Sequence, residues 1–470
     1  MDLNLDGFKT WLTANKNYSK ATISNTVSRM KRADKILPWF NDIVYQFRLE
    51  QEPAYQSLSC SVRSQLKKAV KLYFEYIEES ETEPIPPKKE NNLKALSLFA
   101  NIGVAEAYFK DIGIDVPVAN ELIERRAKLY SQIYPDTHMI CGDITHKTVF
   151  DEIVEESIKN RVNIIMATPP CQGMSTAGQL DENDERNELI IPVIDAIKLI
   201  KPQYVFLENV PMFLSTAINV NGEKVFIPDL LKKELEPEYK ISQYIIDTKD
   251  YSVPQTRERA IFLMTHRTDN LKEWVLPEKD EQIVTMQDAI GHLPKLDPYI
   301  NDVSEEELLE IFPHFYERKE VAANISKWHI PPHHIKRQVI AMQHTPTGCT
   351  AFDNKEYFPK KANGEAVKGY RNTYKRQNWS TPAYTVTMDN RKISSQNNVH
   401  PGRLEYIDGN GEEIYSDARA LTLYELMVIM SLPENWPIPE NTSEAFLRRI
   451  IGEGIPPLFV KKVFDNLLGD

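Results

Sequence analysis

Residues 162–173 read Val-Asn-Ile-Ile-Met-Ala-Thr-Pro-Pro-Cys-Gln-Gly, and this stretch guides the interpretation of the whole chain. The apolar run at 162–168 is typical of a buried strand, and the two prolines predict a stiff turn after it. Cys171 follows the prolines directly. A cysteine at the carboxyl end of a strand can act as a thiolate nucleophile. A small buried core cysteine is the usual alternative, and the polar loop around Cys171 disfavours it.

Short apolar runs of the same kind lie on both sides of this strand, and helical patterns such as 104–113 and 187–200 separate them. The runs are KALSLF (94–99), VPVAN (116–120), HMIC (138–141), QYVFLE (203–208), ISQYIID (241–247) and AIFLMT (260–265). This alternation predicts an α/β fold with a parallel, doubly wound sheet. Such sheets bind ligands at the carboxyl ends of their strands.

Three of these strand ends carry residues suited to a nucleoside. Residues 99–103 (Phe-Ala-Asn-Ile-Gly) form a turn in which a glycine allows close backbone approach. Glu121 ends the second strand, where an acid can bind ribose hydroxyls, and Asp143 follows the third, where a carboxylate can accept an adenine amino hydrogen. Each residue alone is equally well explained as a turn residue or helix cap. Together they predict a nucleoside site.

The fifth strand and a later one carry further charged candidates. Glu208 follows an apolar run, and a low-dielectric wall favours the neutral, acid form of a carboxyl group. Arg257 and Arg259 stand two residues apart at the entry to a strand, so we expect them on one face, where they would contact a base carbonyl or phosphates. The alternatives are a cap or surface turn for Glu208 and a surface salt bridge for the arginines.

The motifs occur in the order FAxxG, acid, GD, PPCQG, ENV and QxRxR, and in this order they resemble the cytosine-5 DNA methyltransferase family. The resemblance covers about 93–267 and resumes at about 370–470, in the segments 374–387, 419–425 and 451–457. The family has glycines where Asn101 and Val104 stand, and an asparagine where Glu453 stands. These departures bear on cofactor affinity more than on activity.

The resemblance implies a Rossmann-like, S-adenosylmethionine-dependent methyltransferase that acts on a cytosine flipped out of the duplex. Cys171 would attack carbon 6 of the base, Glu208 would hold ring nitrogen 3, and Arg259 would contact the base carbonyl, with Arg257 beside them. The positions that match cofactor contacts are Phe99, Ile102, Gly103, Glu121, Leu122, Asp143, Ile144, Pro170 and Leu189.

The chain divides by composition into five segments. They are a helical domain (1–78), a charged and proline-rich linker (79–92), a catalytic domain (93–269), an inserted target recognition domain (270–375) and a return to the catalytic domain with a C-terminal helix on the cofactor side (376–470). The first segment faintly resembles the core-binding domain of tyrosine recombinases, which implies DNA binding. A helical support or a dimerisation module is the alternative.

The net charge of −12 is unevenly distributed. Residues 330–403 hold twelve Lys or Arg against four Asp or Glu, and residues 1–75 hold twelve against seven. Uneven solvated faces would explain this, but beside the motifs it predicts DNA-contacting surfaces. The candidate DNA contacts are Gln255, Lys336, Arg337, Lys360, Lys361 and Arg371, and the candidate readers of base edges include Gln338, Gln343, Asn354 and Asn372.

Composition also bounds the location and the partners. No apolar run approaches the roughly 20 residues of a membrane span. None of the four cysteines forms a CxxC pair, so we expect no metal or disulfide site and a reducing cytoplasm. Double-stranded DNA and a cognate restriction endonuclease are the predicted partners.

Three other functions fit the sequence less well. A transfer-RNA cytosine methyltransferase is disfavoured by the large basic insertion and by the added N-terminal domain. A dinucleotide-dependent oxidoreductase needs a GxGxxG turn, which the sequence lacks. An inactive DNA-binding protein leaves Cys171, Glu208 and Arg259 without a role.

Overall fold

The computed structural model divides the chain into two compact units, Met1–Glu90 and Asn91–Asp470. It describes residues 3–16, 18–41, 45–81, 93–170, 185–220, 222–268 and 271–469. Cys171 and most of the predicted linker lie outside the described residues. None of the described helices combines the length and the apolar character needed to cross a membrane.

The N-terminal unit is helical, as the sequence predicts. Its helices are α1 (Leu5–Asn15), α2 (Lys20–Ile36), α3 (Tyr45–Gln51), α4 (Pro53–Gln56) and α5 (Cys60–Glu81). Ser19 is the N-cap of α2, because its side chain accepts a hydrogen bond from the Thr22 backbone N–H. The helices share an aromatic core in which the Tyr73 ring meets Phe8 at 5.0 Å and Trp39 at 4.8 Å between centroids.

The second unit is built on a seven-stranded sheet. In chain order its strands are β1 (Lys94–Leu98), β2 (Asp115–Glu121), β3 (His138–Cys141), β4 (Ile164–Ala167), β5 (Tyr204–Asn209), β8 (Tyr239–Asp247) and β9 (Glu258–His266). The hairpin β6 (Ala217–Val220) and β7 (Glu223–Phe226) interrupts this series. The spatial order is β3-β2-β1-β4-β5-β9-β8, and every apolar run predicted as a strand belongs to this sheet.

Two of the predictions for this region are wrong in detail. The sheet is mixed, since β9 runs antiparallel to both β5 and β8. Residues 104–113, predicted as a helix, form successive turns, because their backbone hydrogen bonds mostly span three residues, as from Phe109 to Glu106 and from Asp111 to Tyr108.

Both faces of the sheet are covered, which explains the apolar character of its strands. Leu96, Ile165 and Leu207 point to one face, which carries α7 (Lys147–Lys159), α8 (Ile190–Ile200) and α9 (Ile227–Leu235). Met166 and Phe206 point to the other face, where α16 (Pro457–Leu468) packs. The helix α6 (Glu124–Ile133) follows β2. The helices cover the two faces of the sheet, and the candidate site lies at the carboxyl edge of its parallel strands.

The region after β9 is irregular and has a small core of its own. Its elements are α10 (Met286–Ile290), β10 (Tyr299–Ile300), α11 (Glu305–Ile311), α12 (Phe315–Ile325), β11 (His333–His334) and α13 (Lys336–Gln343). The segment after residue 403 begins with the hairpin β12 (Leu404–Ile407) and β13 (Glu413–Tyr415). The helices α14 (Leu423–Ile429) and α15 (Glu444–Glu453) come only after it.

A buried ionic cluster stabilises the segment before α14. The Arg419 guanidinium, 0% exposed, donates to Asp417 Oδ1 at 2.8 Å and to both carboxylate oxygens of Glu425 at 2.8 Å each. Thr422 and Glu425 also form a capping box at the start of α14. Because buried charges require partners, removing Arg419 would leave the buried carboxylates of Asp417 and Glu425 without their ion-pair partner.

Candidate functional site

The carboxyl end of β5 places an acid beside an arginine. Glu208 Oε1 lies 2.6 Å from Arg259 Nε, and only 11% and 12% of the two side chains are exposed. Because β9 runs opposite to β5, its first residues, rather than its last, reach this edge of the sheet, with Asn209 opposite Ala260. The antiparallel strand therefore brings together two charged groups that lie about fifty residues apart in the chain.

The loop that leads to Cys171 is held against the same strand end. The Asn209 side-chain amide donates to the Pro169 carbonyl at 3.1 Å, and Asn209 Oδ1 accepts from the Val210 backbone N–H at 2.8 Å. Cys171 lies outside the described residues, two positions beyond this anchor. The sequence predicted no role for Asn209, and its place directly after Glu208 at a strand end was the available signal.

Arg257 has partners different from those of Arg259. Its guanidinium is 2% exposed and donates to the backbone carbonyls of Val386 and Gly452, each at 3.0 Å. The expectation that the two arginines form one pair on a single face is wrong, because Arg257 points into the protein. It connects the start of β9 to two segments near the C-terminus.

Gln255 is also part of the interior. Its side chain is 0% exposed, its Oε1 accepts from the Val386 N–H at 3.0 Å, and its Nε2 lies 3.0 Å from the Met430 sulfur. The prediction that Gln255 contacts DNA is wrong for this structure, because the surrounding segments cover its side chain.

The turn after β1 is strained and closely packed. Phe99 and Asn101 adopt left-handed backbone angles, with φ of 58° and 54°. Gly103 has φ 81°, and a Cβ there would lie 2.0 Å from the Tyr134 ring. The Tyr134 hydroxyl donates to the Gly103 carbonyl at 2.5 Å. The left-handed backbone and the Tyr134 ring both require a glycine at position 103.

This turn also contains a buried polar atom that lacks a partner. Within the described residues, Asn101 Oδ1 has no hydrogen-bond partner and no solvent access. Buried polar atoms are rarely left in that state, so Asn101 Oδ1 is a candidate position for contact with a ligand group.

Glu121 connects this turn to the turn after β2. Its Oε2 accepts from the Asn101 N–H at 2.8 Å and its Oε1 from the Ile123 N–H at 2.9 Å. Burial raises the pKa of Glu121, whereas the Ile123 amide and the charge of Arg126 lower it. Arg126 in turn pairs with Glu453 at 2.8 Å. Arg126 could not be identified from its neighbours in the chain, because its partner is 327 positions away.

Asp143 and the remaining cofactor candidates differ in their accessibility. Asp143 Oδ1 accepts from the Thr145 N–H at 2.9 Å, and this hydrogen bond lowers the pKa of Asp143. Ile102 and Ile144 are buried in the core, so only their backbone can face a ligand, while Leu122 is 62% exposed. Three other candidates, Phe99, Pro170 and Leu189, are half-buried.

The five basic candidates in the insertion are exposed, but three of them already have acidic partners. Lys336 pairs with Glu307, and Arg371 pairs with Asp353. The remaining pair is Lys361 with Glu365, at 3.0 Å. Arg337 and Lys360 have no ion pair with any residue that the structure describes, although Lys360 lies 4.8 Å from the Phe358 ring.

Most of the side chains predicted to read base edges are instead hydrogen-bonded or buried within the protein. The Asn354 amide donates to the carbonyls of Ala341 and Tyr357, each at 3.1 Å, and Gln338 donates to the Tyr374 hydroxyl at 3.0 Å. Gln343 is buried. These three are therefore unsuited to reading base edges in this conformation.

Comparisons with known proteins show which family the chain resembles. Residues 93–469 match the family described as C-5 cytosine-specific DNA methylase. The chain is 41% identical over 386 residues to the Type II methyltransferase M1.HgaI of Avibacterium volantium, which covers 81% of this chain and 99% of that protein. It is 24% identical to the Type II methyltransferase M.NgoPII of Neisseria gonorrhoeae, over 79% of this chain and 94% of that one.

Among solved structures, a putative DNA modification methyltransferase encoded within an Escherichia coli prophage has a similar fold. The TM-score is 0.54 at 16% identity, and the match covers 80% of this chain and 100% of the other. At this level of identity the likeness supports the fold alone.

Proposed function

Since the chain belongs to the C-5 cytosine-specific DNA methylase family and is a DNA cytosine-5 methyltransferase of the Type II restriction–modification kind, we propose that it methylates a cytosine within a specific double-stranded DNA sequence through a covalent bond to Cys171. The observation that carries this proposal is the Glu208–Arg259 pair at the carboxyl end of β5. The anchored loop at Pro169 leads from there directly to Cys171.

The roles of the three residues follow from the chemistry of the base. The thiolate of Cys171 adds to carbon 6, and the electron pair of the ring moves toward nitrogen 3. Glu208 holds a proton at that nitrogen, and Arg259 donates to the neighbouring base carbonyl. Carbon 5 thereby becomes nucleophilic. After methyl transfer, loss of the carbon-5 proton and elimination release Cys171.

The cytosine must leave the helix for this reaction, since carbon 6 is inaccessible within the base stack. A low exposed fraction of the Glu208 and Arg259 side chains is consistent with a pocket that takes up one extruded base and excludes water.

The residues around the turn after β1 fit S-adenosylmethionine. S-adenosylmethionine, when bound, supplies a methyl group attached to a positively charged sulfur. Asn101 Oδ1 is buried and unpaired within the described residues, and Glu121 presents a carboxylate positioned by two backbone amides. We assign Glu121 to the ribose hydroxyls and Asp143 to the adenine amino group.

For the recognition of the DNA sequence we propose residues 270–375. Because phosphate contacts require free cations, Arg337 and Lys360 are better placed than Lys336, Lys361 and Arg371, which hold acidic neighbours. A cognate restriction endonuclease stays a prediction, supported by the Type II names of the relatives.

Trapping the covalent intermediate tests the proposed function. Duplex DNA that contains 5-fluorocytosine should become covalently attached to the protein in the presence of S-adenosylmethionine, because fluorine cannot leave as a proton does. Peptide mapping should locate the adduct at Cys171, and Cys171→Ser should form none while still binding DNA. An adduct at Cys60, Cys141 or Cys349, or methyl transfer by the serine variant, would refute the assignment.

A further inference from the structure

A polar groove runs between α2 and α5 in the N-terminal unit, outside the part of the chain that matches the methylase family. It is lined from α2 by Thr22, Asn25, Arg29 and Arg32, and from α5 by Gln65 and Lys68. Arg29 and Gln65 lie where its two halves join, so the lining is continuous. We call it the α2–α5 groove.

The spacing of the α2 residues explains why they form a row. Positions 22, 25, 29 and 32 follow one another at three- and four-residue intervals, which places them on one face of the helix. Ten residues at 1.5 Å each make the row about 15 Å long. On the neighbouring face, Ile23, Met30 and Ala33 enter the core, so the row flanks the packed interface.

The cations of the groove are not neutralised. Within the described residues, no ion pair engages Arg29, Arg32 or Lys68, and no acidic side chain lines the groove. Elsewhere in the same unit lysines do have acidic partners, as in the pair of Lys16 with Glu75 at 2.8 Å. The groove is therefore a positive surface with hydroxyl and amide groups between its charges.

We infer that the α2–α5 groove binds the phosphate backbone of the DNA that the protein methylates. Cations interspersed with Thr, Asn and Gln side chains are the groups that contact phosphate and sugar oxygens. No large apolar side chain is exposed in the described part of this unit, which disfavours a membrane or an apolar protein surface as the partner. The inference takes only the identity of the polymer from the proposed function.

Such a groove would contribute affinity without selecting a sequence, because phosphates are the same at every base pair. This role differs from the one proposed for residues 270–375, which is to recognise the bases. A protein that holds DNA at a second surface stays bound longer while its catalytic unit samples successive sites.

The test uses the full-length protein and a groove variant, Arg29→Ala with Arg32→Ala and Lys68→Ala. Binding to a duplex that contains the methylated sequence is measured by fluorescence anisotropy between 50 and 300 mM KCl. The dissociation constant should rise roughly 10- to 100-fold near 100 mM salt, and the slope of log K against log salt should become shallower by about three, one for each lost phosphate contact.

A matched control removes the same charge from the same unit. Lys9, Lys20 and Lys31 are exposed and lie outside the groove lining, so the triple alanine variant at these positions should keep the affinity within about two-fold and change the slope by less than about one. Equal weakening in both variants would show a general charge effect and overturn the inference.

A second variant separates charge from folding. Arg29→Lys with Arg32→Lys retains the positive charge and should retain most of the salt slope, and all variants should unfold at the wild-type temperature. An unchanged slope of log K against log salt in the groove variant would overturn the inference. Tighter groove-dependent binding of the protein to duplex RNA than to duplex DNA would also overturn it. A change in the methylated sequence would show that the groove reads bases, which would also overturn it.

The outcome is independent of the proposed chemistry. A wild-type protein that shows the expected salt slope but transfers no methyl group would refute the proposed function without contradicting the inference about the groove. If the protein methylates DNA, and the wild type and the groove variant have the same slope of log K against log salt, the proposed function is supported and the groove inference is refuted.

Discussion

Replacing Glu208 with glutamine tests the pair at the end of β5. The substitution keeps the shape and an acceptor for Arg259 Nε, now 2.6 Å from Glu208 Oε1, but it removes the carboxyl group that would share a proton with the base. The pair is only 11–12% exposed, so replacing a charged acceptor with a neutral one should lower the free energy of unfolding by about 1–2 kcal/mol. Loss of general acid catalysis should lower the single-turnover rate about 10²–10⁴-fold, or roughly 3–5 kcal/mol of barrier.

The effect on the rate should therefore exceed the effect on stability, and the assay must measure both. Methyl transfer from labelled cofactor is followed with enzyme in excess over DNA, and unfolding is followed in urea. Glu258→Gln is the matched control, because Glu258 is exposed and contacts Arg259 through its backbone carbonyl alone. A Glu208→Gln rate within about three-fold of the wild-type rate would refute the catalytic role and leave Glu208 as a structural partner of Arg259.

Two further predictions follow from the cofactor region and from the buried ionic cluster. Glu121→Ala should weaken S-adenosylmethionine binding by about 1–3 kcal/mol in calorimetric titration, with the exposed Glu124→Ala as control, and wild-type affinity would place the ribose elsewhere. Arg419→Met should lower the free energy of unfolding by about 3–5 kcal/mol at pH 7, because Glu425 and Asp417 lose their ion-pair partner. Burial alone would raise the pKa of Glu425, but Arg419 and His400 lower it to about 2. This stabilisation is complete above about pH 4.5 and is lost as the pH falls toward 2. The difference in unfolding free energy between variant and wild type, measured by urea titration, should therefore become smaller as the pH falls through that range.

The sequence predicted the sheet well because its strands are buried on both faces. Runs such as 164–167 and 204–207 are continuous and apolar, and that pattern depends little on distant contacts. The direction of β9 was not predictable from periodicity, because an antiparallel strand has the same apolar pattern as a parallel one. The turns at 104–113 were mistaken for a helix because their apolar spacing is helical, although their backbone hydrogen bonds are not.

The site was predictable where a residue's neighbours in the sequence determine its place. Glu208 lies at the end of an apolar strand, and the structure brings it to Arg259. Gln255 and Arg257 belong to the same motif, yet their side chains point inward, because Val386, Met430 and Gly452 cover them. Those partners are more than 120 positions away, and no local pattern reports such contacts. The pair of Arg126 with Glu453 was missed for the same reason.

These long-range contacts explain why the family motifs near the C-terminus matter for chemistry at a distance. Arg257 joins the start of β9 to Gly452, and the neighbouring Glu453 pairs with Arg126 of α6. Arg259, two residues after Arg257, pairs with Glu208. The last motif therefore contacts, through the consecutive residues Gly452 and Glu453, the start of the strand that carries Arg259 and the helix that follows Glu121. A displacement of this motif would alter both halves of the site together, because methyl transfer requires the cofactor and the base to be aligned within a fraction of an ångström.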